Sequence, residues 1–368
     1  MWPLLALIRK EFLALLKDPR SRFVIIGPPI VQLLVFGYAA TFDVTDAALA
    51  VYNESAGAAS RDLVARFVGS PNFRHVATIT REDQIAPLVD SREALIVLHL
   101  GPTFSRDLRR RGHASAQIIL DGRNSNTALI TLGYARSIVD RFNARWASVH
   151  GAPSAPARLQ VRSWFNPNQQ SRWFIVPGIV GLLTLVVTML VTALSVARER
   201  EQGTFDQLLV TPFRPWEILV GKATPGFIIG VAEAMLIIVV AVFWFRVPLV
   251  GNFAALCVGV VLFVLAAIGV GLMISSLATT QQQALLGAFL FLVPAIILSG
   301  FSTPIANMPK AVQVITYVDP LRYFLIVLRA IFLEGTPSYL LIDQYWPLAL
   351  IAATSLGSAT LLFRKRTY

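Results

Sequence analysis

Cysteine is almost missing from this sequence. Its one copy, Cys257, lies inside an apolar run, so neither an intrachain disulfide nor a cysteine metal site can form. Charge is scarce too. Only 14% of the residues are Asp, Glu, Lys or Arg, where a soluble globular protein carries about 25%. Phosphate-binding signatures are absent. The nearest approach is Val220-Gly221-Lys222-Ala223, but Trp216 stands where a P-loop has its first glycine and no Ser or Thr follows the lysine. No GxGxxG follows a predicted strand, and neither GxSxG nor HExxH occurs. The four histidines, His75, His99, His113 and His150, have no metal-ligand spacing. The expectation is a chain with no catalytic residues, no metal and no bound cofactor. If ATP drives it, a partner chain binds the ATP and its Mg.

What fills the sequence is apolar residues: 55% are hydrophobic, and the mean hydropathy is +0.63. Runs near 20 residues long are long enough to cross a bilayer. The predicted spans are 23–42, 173–197, 220–245, 253–277, 284–301 and 346–363. No formal charge falls between Val247 and Pro309, and the polar run Thr279-Thr280-Gln281-Gln282-Gln283 divides that stretch into two spans. Residues 1–22 hold an amphipathic helix with Leu5, Ile8 and Phe12 on one side and Lys10 and Lys17 on another, the pattern of a helix lying in the headgroup layer. Asp18-Pro19 breaks it. The N-terminus carries no recognisable signal peptide. The predicted fold class is an α-helical polytopic membrane protein with six transmembrane helices and an N-terminal interfacial elbow helix.

The net charge is +11. Nucleic acid is one explanation of a basic chain, but the positive residues cluster around the spans. Arg9, Lys10, Lys17, Arg20 and Arg22 precede the first span, and Arg364, Lys365 and Arg366 follow the last. That is the positive-inside pattern, with cytosolic N- and C-termini, segment 198–219 inside and the tail 364–368 inside. Residues 43–171 then lie outside, with 15 arginines and no lysine against 11 acids. A long translocated block escapes the charge rule. Short apolar runs at Ala47–Tyr52, Ala94–Leu100 and Ala116–Leu120 predict strands. Arg61–Phe67, Asp83–Val89 and Phe104–Arg111 predict helices. A longer helix over Asn124–Trp146 follows from Ile130, Tyr134, Ile138, Phe142 and Trp146, which recur every four residues. The block therefore reads as an extracytoplasmic α/β domain between the first two spans. Segment 302–344 is a second outer piece, broken by Pro304, Pro309 and Pro320, with an amphipathic helix over Leu321–Leu333.

Two features demand a role. Glu233 sits near the middle of the third span, where a lone carboxylate costs several kcal/mol. Either it faces a translocation path, or it is protonated and hydrogen-bonded to a neighbouring helix. The run VAREREQGTFDQLLVTPFRP, Val196–Pro215, is the other. By spacing alone it is a solvated turn or a handle on which a cytosolic partner pulls two spans together.

That run, from Ala197 to Lys222, resembles the loop after the second span of the type-2 ABC transporter permeases: Arg-Glu-Arg, then Gly-Thr, an acid, Gln-Leu, and a proline before the next helix. Leu298–Lys310 with Asp319-Pro-Leu-Arg-Tyr-Phe324 is similar to that family's outer segment between the last two spans. Asp121-Gly-Arg-Asn-Ser-Asn-Thr-Ala128 is similar to its multidrug-export-like branch. The resemblance covers nearly the whole chain. It implies an exporter subunit in the bacterial inner membrane, moving a drug-like or lipid-like amphipathic substrate. It implies docked ABC ATPase subunits, a second copy or a paralogous permease as dimer partner, and contact with membrane lipid. The large outer block suggests a periplasmic adaptor; no nucleic acid is implied. Carried onto this chain, Glu199, Gly203, Thr204, Phe205, Asp206, Gln207 and Leu208 couple to the ATPase. The seam between subunits is lined by the second and fifth spans, which nominates Val187, Leu190, Phe289 and Val293 beside Glu233. Two other classes compete: a proton-coupled transporter using Glu233, and a membrane-anchored sensor or scaffold whose outer domain binds a ligand.

Overall fold

A computed structural model of the chain describes residues 2–17, 29–35, 46–123, 125–150, 170–204 and 215–365, with single positions 27, 38 and 165 besides. Two compact units result: Met1–Ala40 with Ser163–Tyr368, and Thr41–Arg162.

The smaller unit is built on four strands: β1 (Ala47–Asn53), β2 (Phe73–Ile79), β3 (Ile96–Leu100) and β4 (Ala116–Leu120). The order is β2-β1-β3-β4. β1 runs parallel to both neighbours, and β4 is antiparallel to β3. β1 is apolar almost throughout because it is covered on both faces. Helices α2 (Ala58–Val68), α4 (Phe104–Arg111) and α5 (Ser125–His150) bury Leu63, Phe67, Leu108, Ile138 and Phe142 against one face. α3 (Ile85–Asp90) covers the other, where Ala50, Tyr52, Ile79 and Val97 are buried. The four-residue periodicity of α5 thus marked its buried side. β2 had no such signal: as an edge strand it carries Arg74, His75 and Thr78 and reads as polar.

The larger unit holds α1 (Trp2–Lys17), preceding the elements above, and after them α6 (Ser171–Glu201), α7 (Pro215–Phe243), α8 (Phe253–Leu277), α9 (Gln281–Leu298), α10 (Lys310–Ile315), α11 (Pro320–Arg329) and α12 (Ile342–Lys365). Five of the described helices are long and apolar enough to cross a membrane, six if the pair Lys310–Val318 and Pro320–Glu334, bent by 85°, counts as one span. The predicted first span, 23–42, is helical at 29–35, and most of the rest of it lies outside the described residues. α6 is the central post: its apolar window is 78% buried, against 22% for that of α9. The polar divider works as a pair of caps. Thr280 accepts from the Gln283 N–H to start α9, and the Gln283 side chain accepts from the Thr279 N–H at 3.0 Å. At the bend, Asp319 caps α11 by accepting from the Leu321 N–H at 2.9 Å, with Pro320 in the first turn. The helix predicted over Leu321–Leu333 therefore starts one residue early, and it continues past Arg329 as a π turn, Ala330–Glu334.

In the smaller unit His99 stacks on Tyr52 and bridges Glu54 and Gln117, both at 2.9 Å. Burial opposes the imidazolium, but the hydrogen bonds to Glu54 and Gln117 outweigh it and hold the His99 pKa above its ordinary value. The His99 bond holds the Glu54 carboxyl below its usual range. A raised histidine stabilises the fold below the unfolded value and ceases to do so as pH rises through the raised one. A depressed carboxylate stabilises above its unfolded value and fails as pH falls through the depressed one. The unit is therefore expected to lose stability as pH climbs past the unfolded imidazole value of about 6.5. Hydrogen exchange at β1 and β3 of the intact chain should show that loss, and His99→Gln should abolish it. An unchanged pH profile in His99→Gln would contradict the assignment.

Candidate functional site

The charged residues Arg198–Glu201 form the last turn of α6. The sequence placed the end of that span at Ala197; the helix continues through Glu201. It can do so because Glu199, Arg200 and Glu201 each have a partner on a different element. Glu199 turns inward, where Lys10 of α1 meets its Oε1 at 2.8 Å and Lys222 of α7 meets its Oε2 at 2.6 Å. The same Lys222 ammonium lies 3.3 Å from Glu11 Oε1 on α1. Arg200 donates to the carbonyls of Ser276 and Ala278 at 2.8 and 3.0 Å, completing the end of α8. Glu201 accepts from the Gln281 N–H at 2.8 Å, placing an anion at the start of α9. Ser275 Oγ accepts from the backbone N–H of Val196 and Ala197. One helical turn thereby ties together α1, α7, α8 and α9.

Lys222 is the centre of this arrangement. Its side chain has no exposed surface, and an ammonium so placed needs carboxylates to offset its desolvation. Two acids and two lysines make the cluster neutral. Burial pushes the Glu11 carboxyl up; Lys222 pulls it back, and the neighbouring Glu199 adds to the rise. The short Lys222–Glu199 contact is an ion pair rather than an aligned hydrogen bond. α1 can come this close because residue 221 is glycine: a Cβ there would overlap the Leu7 side chain. The P-loop lookalike is thus the first half of α7, with its lysine committed to two carboxylates.

Past Glu201 the helix ends in a Schellman motif. Gly203, at φ +68, donates to Arg200 O at 3.1 Å, and Thr204 donates to Glu199 O at 3.0 Å. Of the coupling residues expected from the sequence, Glu199 is buried in the ion cluster, while Gly203 and Thr204 form the helix stop. Phe205, Asp206, Gln207 and Leu208 lie outside the described residues. The seam candidates separate. Phe289 and Val293 are more than half exposed on α9, on a strip with Leu286, Leu290 and Ile297. Val187 is instead buried inside the chain with Val191 against Ile229, and Leu190 is half-buried against the core. The reason is the central position of α6, which leaves it little free surface. Glu233 is also inside, 7% exposed. Lys10, Glu11, Lys222, Arg200 and Ser275 were not foreseen as site residues. The available signal was Lys222 itself, a lone lysine at the head of an apolar run, which requires an acid nearby.

Substituting Lys222→Met strands two carboxylates and is expected to cost about 3–5 kcal/mol. Lys10→Met removes a half-exposed partner and is expected to cost less than about 1 kcal/mol. Thermal unfolding of the detergent-extracted protein separates the two, and equal losses would show that Lys222 is not the keystone. Gly203→Ala forces a Cβ into the left-handed region and should cost about 1 kcal/mol by the same assay.

The geometry agrees with what the sequence is related to. A family model described as ABC-2 family transporter protein matches residues 20–363. The chain is 39% identical over 360 residues to the probable multidrug ABC transporter permease YbhR of Escherichia coli, with 98% of each chain covered. It is 32% identical over 369 residues to the probable multidrug ABC transporter permease YbhS of the same organism, covering 98% of this chain and 96% of the relative. It is also 29% identical over 298 residues to the inner membrane transport permease YhhJ, covering 80% and 79%. With a family match across nearly its whole length and a polytopic apolar core, this chain belongs to the ABC-2 family of transporter proteins.

Proposed function

We propose that the chain is the permease subunit of an ABC exporter in the bacterial inner membrane, and that it moves an amphipathic, drug-like or lipid-like substrate. Energy comes from ATP and Mg held by a separate ATPase subunit. The observation that carries this is the buried Lys222–Glu199 pair with its companions Lys10 and Glu11. It makes the end of α6, the start of α7 and the amphipathic helix α1 one mechanical piece, from which the chain runs on through Gly203 and Thr204 into the coupling segment. An ATPase that pushes on that segment moves all three helices. In this reading the cluster does not touch the ATPase; Glu199 transmits, while Phe205, Asp206, Gln207 and Leu208 make contact. α1 is the elbow helix in the headgroup layer, six spans cross the bilayer, and the α/β unit stands outside, where it can meet a periplasmic adaptor.

The names of YbhR and YbhS support the multidrug assignment. The seam is assigned to α9: Leu286, Phe289, Leu290 and Val293 form an uncovered apolar face, which suits a second copy or a paralogous permease.

The test is reconstitution in vesicles. Export is expected only with the ATPase present. Gly203→Glu and Phe205→Glu should abolish it while membrane insertion and folding are retained. Transport by the purified chain alone, or full activity of both variants, would overturn the assignment. Separately, Leu290→Cys in a Cys257→Ser background should crosslink to a second α9. Exclusive crosslinking to lipid-facing probes would remove α9 from the seam.

A further inference from the structure

Three unpartnered polar groups lie on the facing sides of α6 and α7, in the apolar middle of the bundle. Both carboxylate oxygens of Glu233 are buried without a hydrogen-bond partner, and so are the hydroxyls of Thr184 and Thr188. The two threonines are fully buried. Their lack of a bond is unusual for helical threonines. Thr192, one turn further, donates back to the Thr188 carbonyl at 2.8 Å, and Thr224 does the same to Val220. Thr184 and Thr188 do not make this local bond, which leaves their hydroxyls to the seam.

Register brings the three groups within one helical turn of each other. Thr188 packs against Gly230 and Thr192 against Gly226, so the helices run antiparallel and Thr184 falls level with residues 233–234. Glu233 lies one turn beyond Gly230 on the same face. It is about 16 Å along α7 from Lys222, close to mid-bilayer for a hydrocarbon core about 30 Å thick.

Among the described residues no countercharge reaches it. Four of the described elements pack most extensively on α7. α6 is charged only at its ends, Arg172 and Arg198 to Glu201. α8 carries Cys257 and no formal charge. α12 is charged only at Asp343, Arg364 and Lys365. α1 brings Lys10 and Glu11 to the Lys222 end. An ionised carboxylate here would be unpaired in an apolar medium, the costliest state available to it. A metal cation finds few ligands here: among the described residues no group of three His, Cys, Asp or Glu could hold one, and the helices are close at Gly230, where a Cβ would overlap Thr188 Oγ1.

We propose that Glu233, Thr184 and Thr188 form a buried proton-binding site on the α6–α7 seam, in which the neutral Glu233 acid shares hydrogen bonds with the α6 hydroxyls. The site needs neither the ATPase nor the substrate. A protonated carboxyl is a donor and an acceptor, and a hydroxyl is both as well. The set can satisfy itself with slight rotation of the side chains; two hydroxyls could also donate to an ionised carboxylate, so it is the lack of a countercharge that selects the neutral acid. Because the seam is closed, the proton exchanges with water only when α6 and α7 part.

The test is infrared spectroscopy of the full chain in lipid vesicles, as the difference between wild type and Glu233→Gln. The expected result is the carbonyl band of a protonated carboxylic acid, present at neutral pH and lost in Glu233→Gln. The double variant Thr184→Val with Thr188→Val should shift that band to higher frequency, as a carbonyl freed of a hydrogen bond does. If Glu233→Gln fails to insert, labelling the glutamates with carbon-13 and comparing wild type with the threonine variant gives the same information. Absence of the acid band at neutral pH, or a band unmoved by loss of both hydroxyls, would overturn the proposal.

Discussion

A single buried ammonium constrains one end of the helical bundle. Lys222 has no exposed side-chain surface, so the fold must bring carboxylates to it or leave a charge stranded. Glu199 and Glu11 answer from two different helices, and Lys10 balances the second acid. Everything else at that end follows. α1 is held against α7 through the gap at Gly221, α6 is extended by a turn, and the remaining charges of that turn finish α8 and begin α9. The cluster ties α1, α6 and α7 together at one end, and in the proposed function that rigidity is what carries a push from the ATPase to several spans.

Much of the fold was legible in the sequence, for identifiable reasons. Apolar runs of bilayer length locate α6 to α9 and α12 because lipid forbids unsatisfied backbone, and only long helices comply. α5 declared its buried side through Ile138 and Phe142, four residues apart. β1 declared itself by being apolar on both faces. β2 stayed hidden because an edge strand can afford Arg74 and His75. The π turn after Arg329 was equally invisible, since the apolar pattern runs on through Ala330, Ile331 and Phe332 while the hydrogen bonding changes.

The site was legible only in outline. The sequence marked the run from Arg198 as special but not what its residues do, because partners distant in sequence set their roles: Arg200 and Ser276 are 76 positions apart, and Lys10 and Glu199 are 189 apart. Gly203 drew attention as a motif glycine, and its positive φ adds a structural duty at the helix stop. Val187 was chosen as seam-lining from its span alone. Which side of a uniformly apolar helix faces inward depends on the neighbours, and α6 turned out to be enclosed. Glu233 shows the same lesson from the other direction. Its depth was evident from the sequence, whereas the company of Thr184 and Thr188 needed the register of α6 against α7.

The central claim is that α1 and α7 move as one body because Lys222 of α7 pairs with Glu11 of α1 and, with Lys10 of α1, with Glu199 of α6. Paired spin labels at Leu13 on α1 and Trp216 on α7, both exposed positions, report this directly by pulsed electron resonance in a Cys257→Ser background. With the ion cluster intact, the distance between the labels should stay fixed when a nucleotide-loaded ATPase is added, and in Lys222→Met it should broaden. A shift in that distance on nucleotide binding with the cluster intact would contradict the claim.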